Sequence, residues 1–188
     1  MTGVEPHRDP IDPVVGRTAP EWDAVIAGLP TVADPWPPSG PLVLVAPHPD
    51  DELLAAGATL AAASDAGTEV RVVAVTDGEM SHPHLDDAGR RQLVDRRLAE
   101  TAAAYTAAGI VADRHRLSLP DGDTTDHADR LVEGLLSILE GAAACLAPWE
   151  ADGHPDHDTC GRAALKACAV LGVPVFSFPV WSWNWDDP

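Results

Sequence analysis

The strongest constraint on how this chain can fold is a rhythm that starts at Leu42, where short apolar runs begin to alternate with helix-forming stretches. LVLVA (42–46) is wholly apolar, as a strand buried on both faces must be. A polar turn, PHPDDE, follows. LLAAGATLAAASDAG comes next, rich in Ala and Leu and closed at Gly67, which predicts a helix with a glycine stop. EVRVVAVT (69–76) predicts a second strand, and the loop DGEMSHPHLDD leads into a helix from about Ala88 to Ala108, stopped by Gly109. RHRLSL (114–119) predicts a third strand, LPDGDT a turn, and the stretch from about His127 to Glu140 a helix. AACLA (143–147), the loop PWEADGHPDHD, a helix from about Asp156 to Leu171 and VPVFSF (173–178) complete the series. This alternation predicts an α/β fold, a Rossmann-like three-layer sandwich with a mostly parallel sheet of about five strands.

In sheets of that kind, ligands bind beyond the carboxyl ends of the strands. The two loops richest in His and Asp, PHPDDE and DGHPDHD, follow the first and fourth predicted strands, so both are expected on one rim. Residues 1–40 are rich in proline and charge. They read as an irregular arm packed on a core that starts near Pro41 and extends to residue 188, with Trp22 and Trp36 anchoring the arm by ring burial.

Bulk properties narrow the functions. With 188 residues and 45% hydrophobic content, the chain suits one compact domain with a sizeable core. Lys+Arg total 12 against 30 Asp+Glu, a net charge of −18. Such a surface repels phosphate backbones and anionic lipid, which argues against nucleic acid as a partner. No apolar run approaches the roughly 18–20 residues that span a bilayer. The N-terminus lacks the apolar core of a secretory signal. No membrane insertion and a cytoplasmic location are therefore expected. The three cysteines, Cys145, Cys160 and Cys168, are odd in number and form no C-x-x-C, which fits a reducing compartment.

The two polar loops carry the chemistry. Imidazole and carboxylate are good ligands for a divalent first-row metal, zinc above all. In PHPDDE, prolines flank His48, and the adjacent carboxylates of Asp50 and Asp51 cannot easily point the same way. One can take a metal while its neighbour acts as a general base. In HPDH, His154 and His157 lie three residues apart at a helix start, a spacing that can bring both imidazoles to one side of the first turn. One can complete a three-ligand set, and the other is then free to donate a proton or stabilise an oxyanion.

P-H-P-D-D-E (47–52) resembles the A-H-P-D-D-E motif of the PIG-L/LmbE-like deacetylases, and D-G-H-P-D-H (152–157) resembles that family's second motif. T-D-G-E (76–79), the R-L-A-E helix running to A-G-I (97–110) and L-P-D-G (119–122) are similar to further family segments, so the resemblance spans roughly Pro41 to Trp185. It implies one zinc ion per chain, or another divalent first-row metal, and hydrolysis of N-acetyl groups on glucosamine-containing substrates. By matching positions it implies His48, Asp51 and His157 as metal ligands, Asp50 as general base and His154 as the group that stabilises or protonates the tetrahedral intermediate. Arg97 and Asp121 match positions that contact substrate. Thiol-conjugate amidases of the same family define a neighbouring activity, and a zinc-binding assembly protein without catalysis defines a different class. A dinucleotide-binding module is disfavoured, because no G-x-G-x-x-G follows the first strand.

Two departures from the family pattern stand out. Pro47 replaces the usual Ala before His48. The chain also stops at Trp185-Asp186-Asp187-Pro188, where relatives commonly continue, which implies a short version of the fold or a truncated C-terminus.

Other residues have plainer readings. Asp50 can alternatively cap the following helix. Asp156 reads as a helix cap or as support for a ligating His, Glu52 as a buried structural hydrogen-bonding group, His82 and His84 as surface loop, and Cys160 as core. Trp181, Trp183 and Trp185 alternate, which predicts an extended segment with its indoles on one face, packed or forming a homo-oligomer contact in preference to stacking on a sugar ring.

Overall fold

In the computed structural model, residues 18–29, 36 and 39–185 are described. Five strands, β1 (Leu42–Ala46), β2 (Val70–Thr76), β3 (Asp113–Leu119), β4 (Ala144–Pro148) and β5 (Val175–Phe178), form one sheet in the order β3-β2-β1-β4-β5. Every pairing is parallel, so the expected "mostly parallel" sheet is wholly so. The helices are α1 (Ala19–Ile26), α2 (Asp51–Asp65), α3 (Asp87–Ala108), α4 (Ala128–Ile138), α5 (Pro155–Leu171) and the short α6 (Ser182–Trp185), with a 3-10 turn at Thr124–His127.

The apolar runs form strands because both faces of the sheet are covered. All of β1 is at 0% exposure. Its Val43 and Val45 join Leu131, Leu135, Ala163 and Ala167 of α4 and α5, whereas Leu42, Leu44 and Ala46 join Leu60 and Ala63 of α2 and Tyr105 of α3. Successive side chains thus serve opposite layers, as strand geometry requires. The two expected glycine stops are in the left-handed region, Gly109 at the end of α3 (φ 68°) and Gly67 just past α2 (φ 72°), and Gly172 ends α5 in the same way at φ 71°. At its other end, α3 is capped by Asp86, whose carboxylate accepts the Gly89 N–H at 2.8 Å. Cys160 is core, and all three cysteines are free and buried.

The arm departs from expectation. Part of residues 1–40 is helical, α1: the Glu21 carboxylate accepts both the Thr18 N–H (2.7 Å) and its hydroxyl (2.8 Å), the Glu21 N–H donates back to the Thr18 carbonyl at 3.1 Å, and Pro20 is tolerated in the first turn. Trp22 and Trp36 do contact the body: Trp22 meets Trp183 edge-on at 4.7 Å, and Trp36 meets Phe176 at 5.2 Å.

The tryptophan-rich segment is the second correction. Ser182–Trp185 is a helical turn rather than an extended strand. The N–H groups of Val180, Trp181 and Ser182 all converge on Asp152. Consecutive N–H groups point to one acceptor only where the chain turns, since in a strand they alternate.

The strand order places the site. After β1 the chain winds outward through β2 and β3, then returns to lay β4 on the other flank of β1. The connections leaving β1 and β4 therefore diverge from adjacent strands and open a crevice, the topological switch point of such sheets.

Candidate metal centre

The turn after β1 is fixed from beneath: the Pro47 carbonyl accepts both the Thr76 N–H (3.0 Å) and the Thr76 hydroxyl (2.8 Å) at the end of β2. Beyond it, α2 starts abruptly. Asp50 adopts φ 129°, ψ −30°, a strained conformation for a residue with a Cβ. Its carbonyl accepts the N–H groups of Leu53 and Leu54, both at 2.9 Å. Its side chain makes no capping hydrogen bond, so the alternative reading of Asp50 as a helix cap is not what the geometry supports. The twist at Asp50 turns Asp51 back under His48, and the Asp51 carboxylate accepts the His48 N–H at 2.9 Å.

Three donor atoms then meet. His48 Nδ1 lies 3.2 Å from Asp51 Oδ2, His157 Nε2 lies 3.2 Å from the same oxygen, and the two imidazole nitrogens are 3.2 Å apart. Ligands at the 2.0–2.1 Å typical of zinc sit about 3.3 Å from one another in a tetrahedron, so this triangle matches three corners of such a site. His48, His154 and Asp156 form a second cluster within metal-binding reach. It is the poorer set. Asp156 already accepts from Gly122 N–H (2.9 Å), Thr124 N–H (3.2 Å) and the Thr124 hydroxyl (2.6 Å), and its own N–H occupies Nδ1 of His154 at 3.2 Å.

Each imidazole of the triangle has a carboxylate behind it. His48 Nε2 faces Asp156 at 3.1 Å and Asp121 at 3.2 Å, and His157 Nδ1 donates to Asp152 at 2.8 Å. These contacts hold protons on the outer nitrogens, so that a cation displacing the inner protons would meet Nδ1 of His48 and Nε2 of His157 as electron-pair donors. They also create a strong preference for positive charge. Burial opposes protonation of His48, yet Asp121, Asp156 and Asp51 together raise its pKa to about 11. Burial likewise opposes ionisation of Asp51 and Asp156, and their imidazole contacts hold both well below the usual carboxylate range. Asp152, despite its burial, is lowered to about 2 by His157 and by backbone N–H groups.

Asp50 and His154 flank the triangle and line a cavity of about 790 Å³ with Asp121, Arg97, Leu54 and Trp181. Burial, and then the neighbouring Asp51 charge, raise the Asp50 carboxyl above its ordinary value, with Arg97 opposing. His154 is pushed down by burial and by the positive neighbours His48 and His157. Because Nδ1 of His154 accepts a backbone N–H, its proton sits on Nε2.

Arg97 and Asp121 reach the pocket but are already engaged. Arg97 donates to the Gly78 carbonyl (3.1 Å), the Pro49 carbonyl (3.2 Å) and Asp50 Oδ2 (3.2 Å). Asp121 meets His48 and accepts the Met80 N–H at 2.8 Å. Glu52 is buried as expected, accepting the Tyr105 hydroxyl at 3.0 Å and the Asp50 N–H at 3.1 Å. His82 and His84 stay in an exposed loop. Asp152, Tyr105 and Thr124 were not singled out from sequence. Only Asp152 carried a signal, as the acid opening D-G-H-P-D-H, five residues before His157.

This fold, with a His/Asp/His cluster at its switch point, defines the class, and the chain belongs to the PIG-L family: it matches the family described as GlcNAc-PI de-N-acetylase over residues 43–168. It is similar to 1D-myo-inositol 2-acetamido-2-deoxy-alpha-D-glucopyranoside deacetylase 1 of Catenulispora acidiphila, at 30% identity over 76% of this chain and 54% of that protein. It is also similar to the diacetylchitobiose deacetylase of Thermococcus kodakarensis, at 28% identity over 72% of this chain and 52% of that one. Among solved structures, a conserved protein from Thermus thermophilus superposes with a TM-score of 0.57 at 30% identity, covering 74% of this chain and 66% of that chain. The chain thus spans about half the length of these curated relatives. Among the described residues, no helix is long and apolar enough to cross a membrane.

Proposed function

We propose that this chain is a zinc-dependent hydrolase that removes the N-acetyl group from an N-acetylglucosamine-containing sugar or glycoconjugate. The observation that carries this reading is the 3.2 Å triangle of His48, Asp51 and His157 donors beside the Asp50 carboxylate. Two imidazoles and one carboxylate suit zinc, and another divalent first-row ion fits the same donors. When bound, the ion supplies a Lewis acid that brings the acidity of a coordinated water toward neutral pH and polarises a carbonyl.

The chain's own groups supply the rest. Asp50, with its raised carboxyl pKa, accepts a proton from the attacking water. His154, neutral with its proton on Nε2, donates a hydrogen bond to the charge that develops on the acyl oxygen, a contribution of about 3 kcal/mol for a well-placed donor. The proton held by Asp50 then passes to the departing nitrogen, leaving a free amine and acetate. Arg97 steadies Asp50, and Asp121 steadies His48, at the wall where a sugar would lie; contact with substrate hydroxyls is assigned to both. A cytoplasmic location and a homo-oligomeric state belong to the same proposal.

The test is acetate release from a panel of N-acetylglucosamine derivatives by zinc-loaded protein, with a cysteine-conjugate amide included to detect amidase activity. Turnover of at least one acetylated sugar is expected, with a loss on the order of 10²–10⁴-fold in Asp50→Ala. Metal-loaded protein that turns over no member of the panel refutes the reading.

A further inference from the structure

Asp152 is fully buried, at 0% exposure, and stands outside the donor triangle. Its two oxygens face different parts of the molecule. Oδ1 accepts the Val180 N–H (2.9 Å), the Ser182 N–H (3.0 Å) and the Ser182 hydroxyl (2.9 Å). Oδ2 accepts the His157 Nδ1 proton at 2.8 Å, and the Trp181 N–H reaches both oxygens at 3.0 Å. The segment held in this way is the aromatic wall of the cavity. Trp181 lies 5.4 Å from the His154 ring, and Trp183 is fastened from outside by Trp22, whose indole N–H donates to its carbonyl at 2.7 Å.

We infer that Asp152 is a positioning residue that couples cation binding at His48, Asp51 and His157 to docking of the Val180–Asn184 wall. The inference rests on the metal site proposed above. A cation on Nε2 of His157 fixes the ring and its Nδ1 proton, which fixes the carboxylate that the wall binds. Docking of the wall in turn holds the imidazole in the tautomer that can ligate. Coupling of this kind is reciprocal. It also explains why an acid is required. A carboxylate accepts on both oxygens, whereas an asparagine presents one acceptor and one N–H₂ donor. Asp152→Asn can satisfy the wall or His157, but not both.

The experiment titrates the whole chain with Zn²⁺ alone against a competing chromophoric chelator and follows amide hydrogen exchange at residues 180–184. In the wild type, zinc is expected to slow exchange of these amides. Asp152→Asn is expected to bind zinc 10–100-fold more weakly, as loss of a carboxylate behind a metal-bound histidine does elsewhere, and its wall should no longer respond to zinc. Ser182→Ala, which removes one wall contact and touches no metal-facing group, is expected to lower zinc affinity by a smaller factor, on the order of 5-fold. It decides the matter if Asp152→Asn does not fold. Zinc bound by the wild type with no change in wall exchange, or both variants binding zinc as the wild type does, overturns this inference alone. No zinc bound by the wild type overturns it together with the metal site.

Discussion

Asp50 holds φ 129°, and that strain is measurable as stability alone. The perturbation is a pair of substitutions, Asp50→Gly and Asp50→Ala. Both remove the carboxylate and its Arg97 contact at 3.2 Å, which is half-exposed and worth well under 1 kcal/mol. Both also remove repulsion against Asp51. The pair therefore differs only in the backbone. A non-glycine residue in so sparse a region costs about 1–3 kcal/mol. At an ordinary position glycine is instead worse than alanine by roughly 0.5–1 kcal/mol. The difference leaves Asp50→Gly more stable than Asp50→Ala by about 1 kcal/mol, the reverse of the usual order. Urea denaturation of the two metal-free variants, compared at equal slope, reads this directly. If Asp50→Ala equals or exceeds Asp50→Gly in stability, the strain argument is wrong.

Two further outcomes follow from buried groups. Burial, and then the Glu52 charge, raise the Tyr105 phenol above its ordinary value near 10. Above pH 10 the unfolded chain loses this proton while the folded chain keeps it, so stability falls as pH rises through that region. Urea denaturation between pH 9 and 11 should show the fall in the wild type and a flatter profile in Tyr105→Phe; identical profiles would contradict the assignment. In Gly161→Ala, the added Cβ would lie 2.5 Å from the Pro148 carbonyl oxygen and 2.8 Å from the Glu150 nitrogen, both backbone atoms at the root of the β4–α5 loop. A loss of about 1–3 kcal/mol is expected by thermal or urea unfolding, and an unchanged stability would show that α5 can move aside freely.

Much of the fold was legible because a doubly covered parallel sheet writes its strands as unbroken apolar runs and its helix ends as glycines. LVLVA and Gly109 needed no tertiary information. The cluster was legible for a related reason: His48, Asp51 and His157 belong to two compact turns, each following a strand, and the topology alone puts those turns on one rim. Three features were not. Tyr105 meets Glu52 across 53 residues, and nothing in the local pattern announces the pair. The helix at Ala19–Ile26 hides among prolines, although Thr18 and Glu21 spell its cap. The alternating tryptophans have the period of a strand, but the spacing of apolar residues says nothing about Asp152, which gathers the amides of Val180, Trp181 and Ser182 into a turn.

The divergence of the β1 and β4 connections has one more consequence. The opening between them is a product of strand order, so it survives any exchange of side chains around its mouth. Leu54, Met80 and Trp183 stand on that mouth without belonging to the sheet. Drift at these positions can change the shape of the entrance while the His48, Asp51 and His157 cluster stays where the backbone put it.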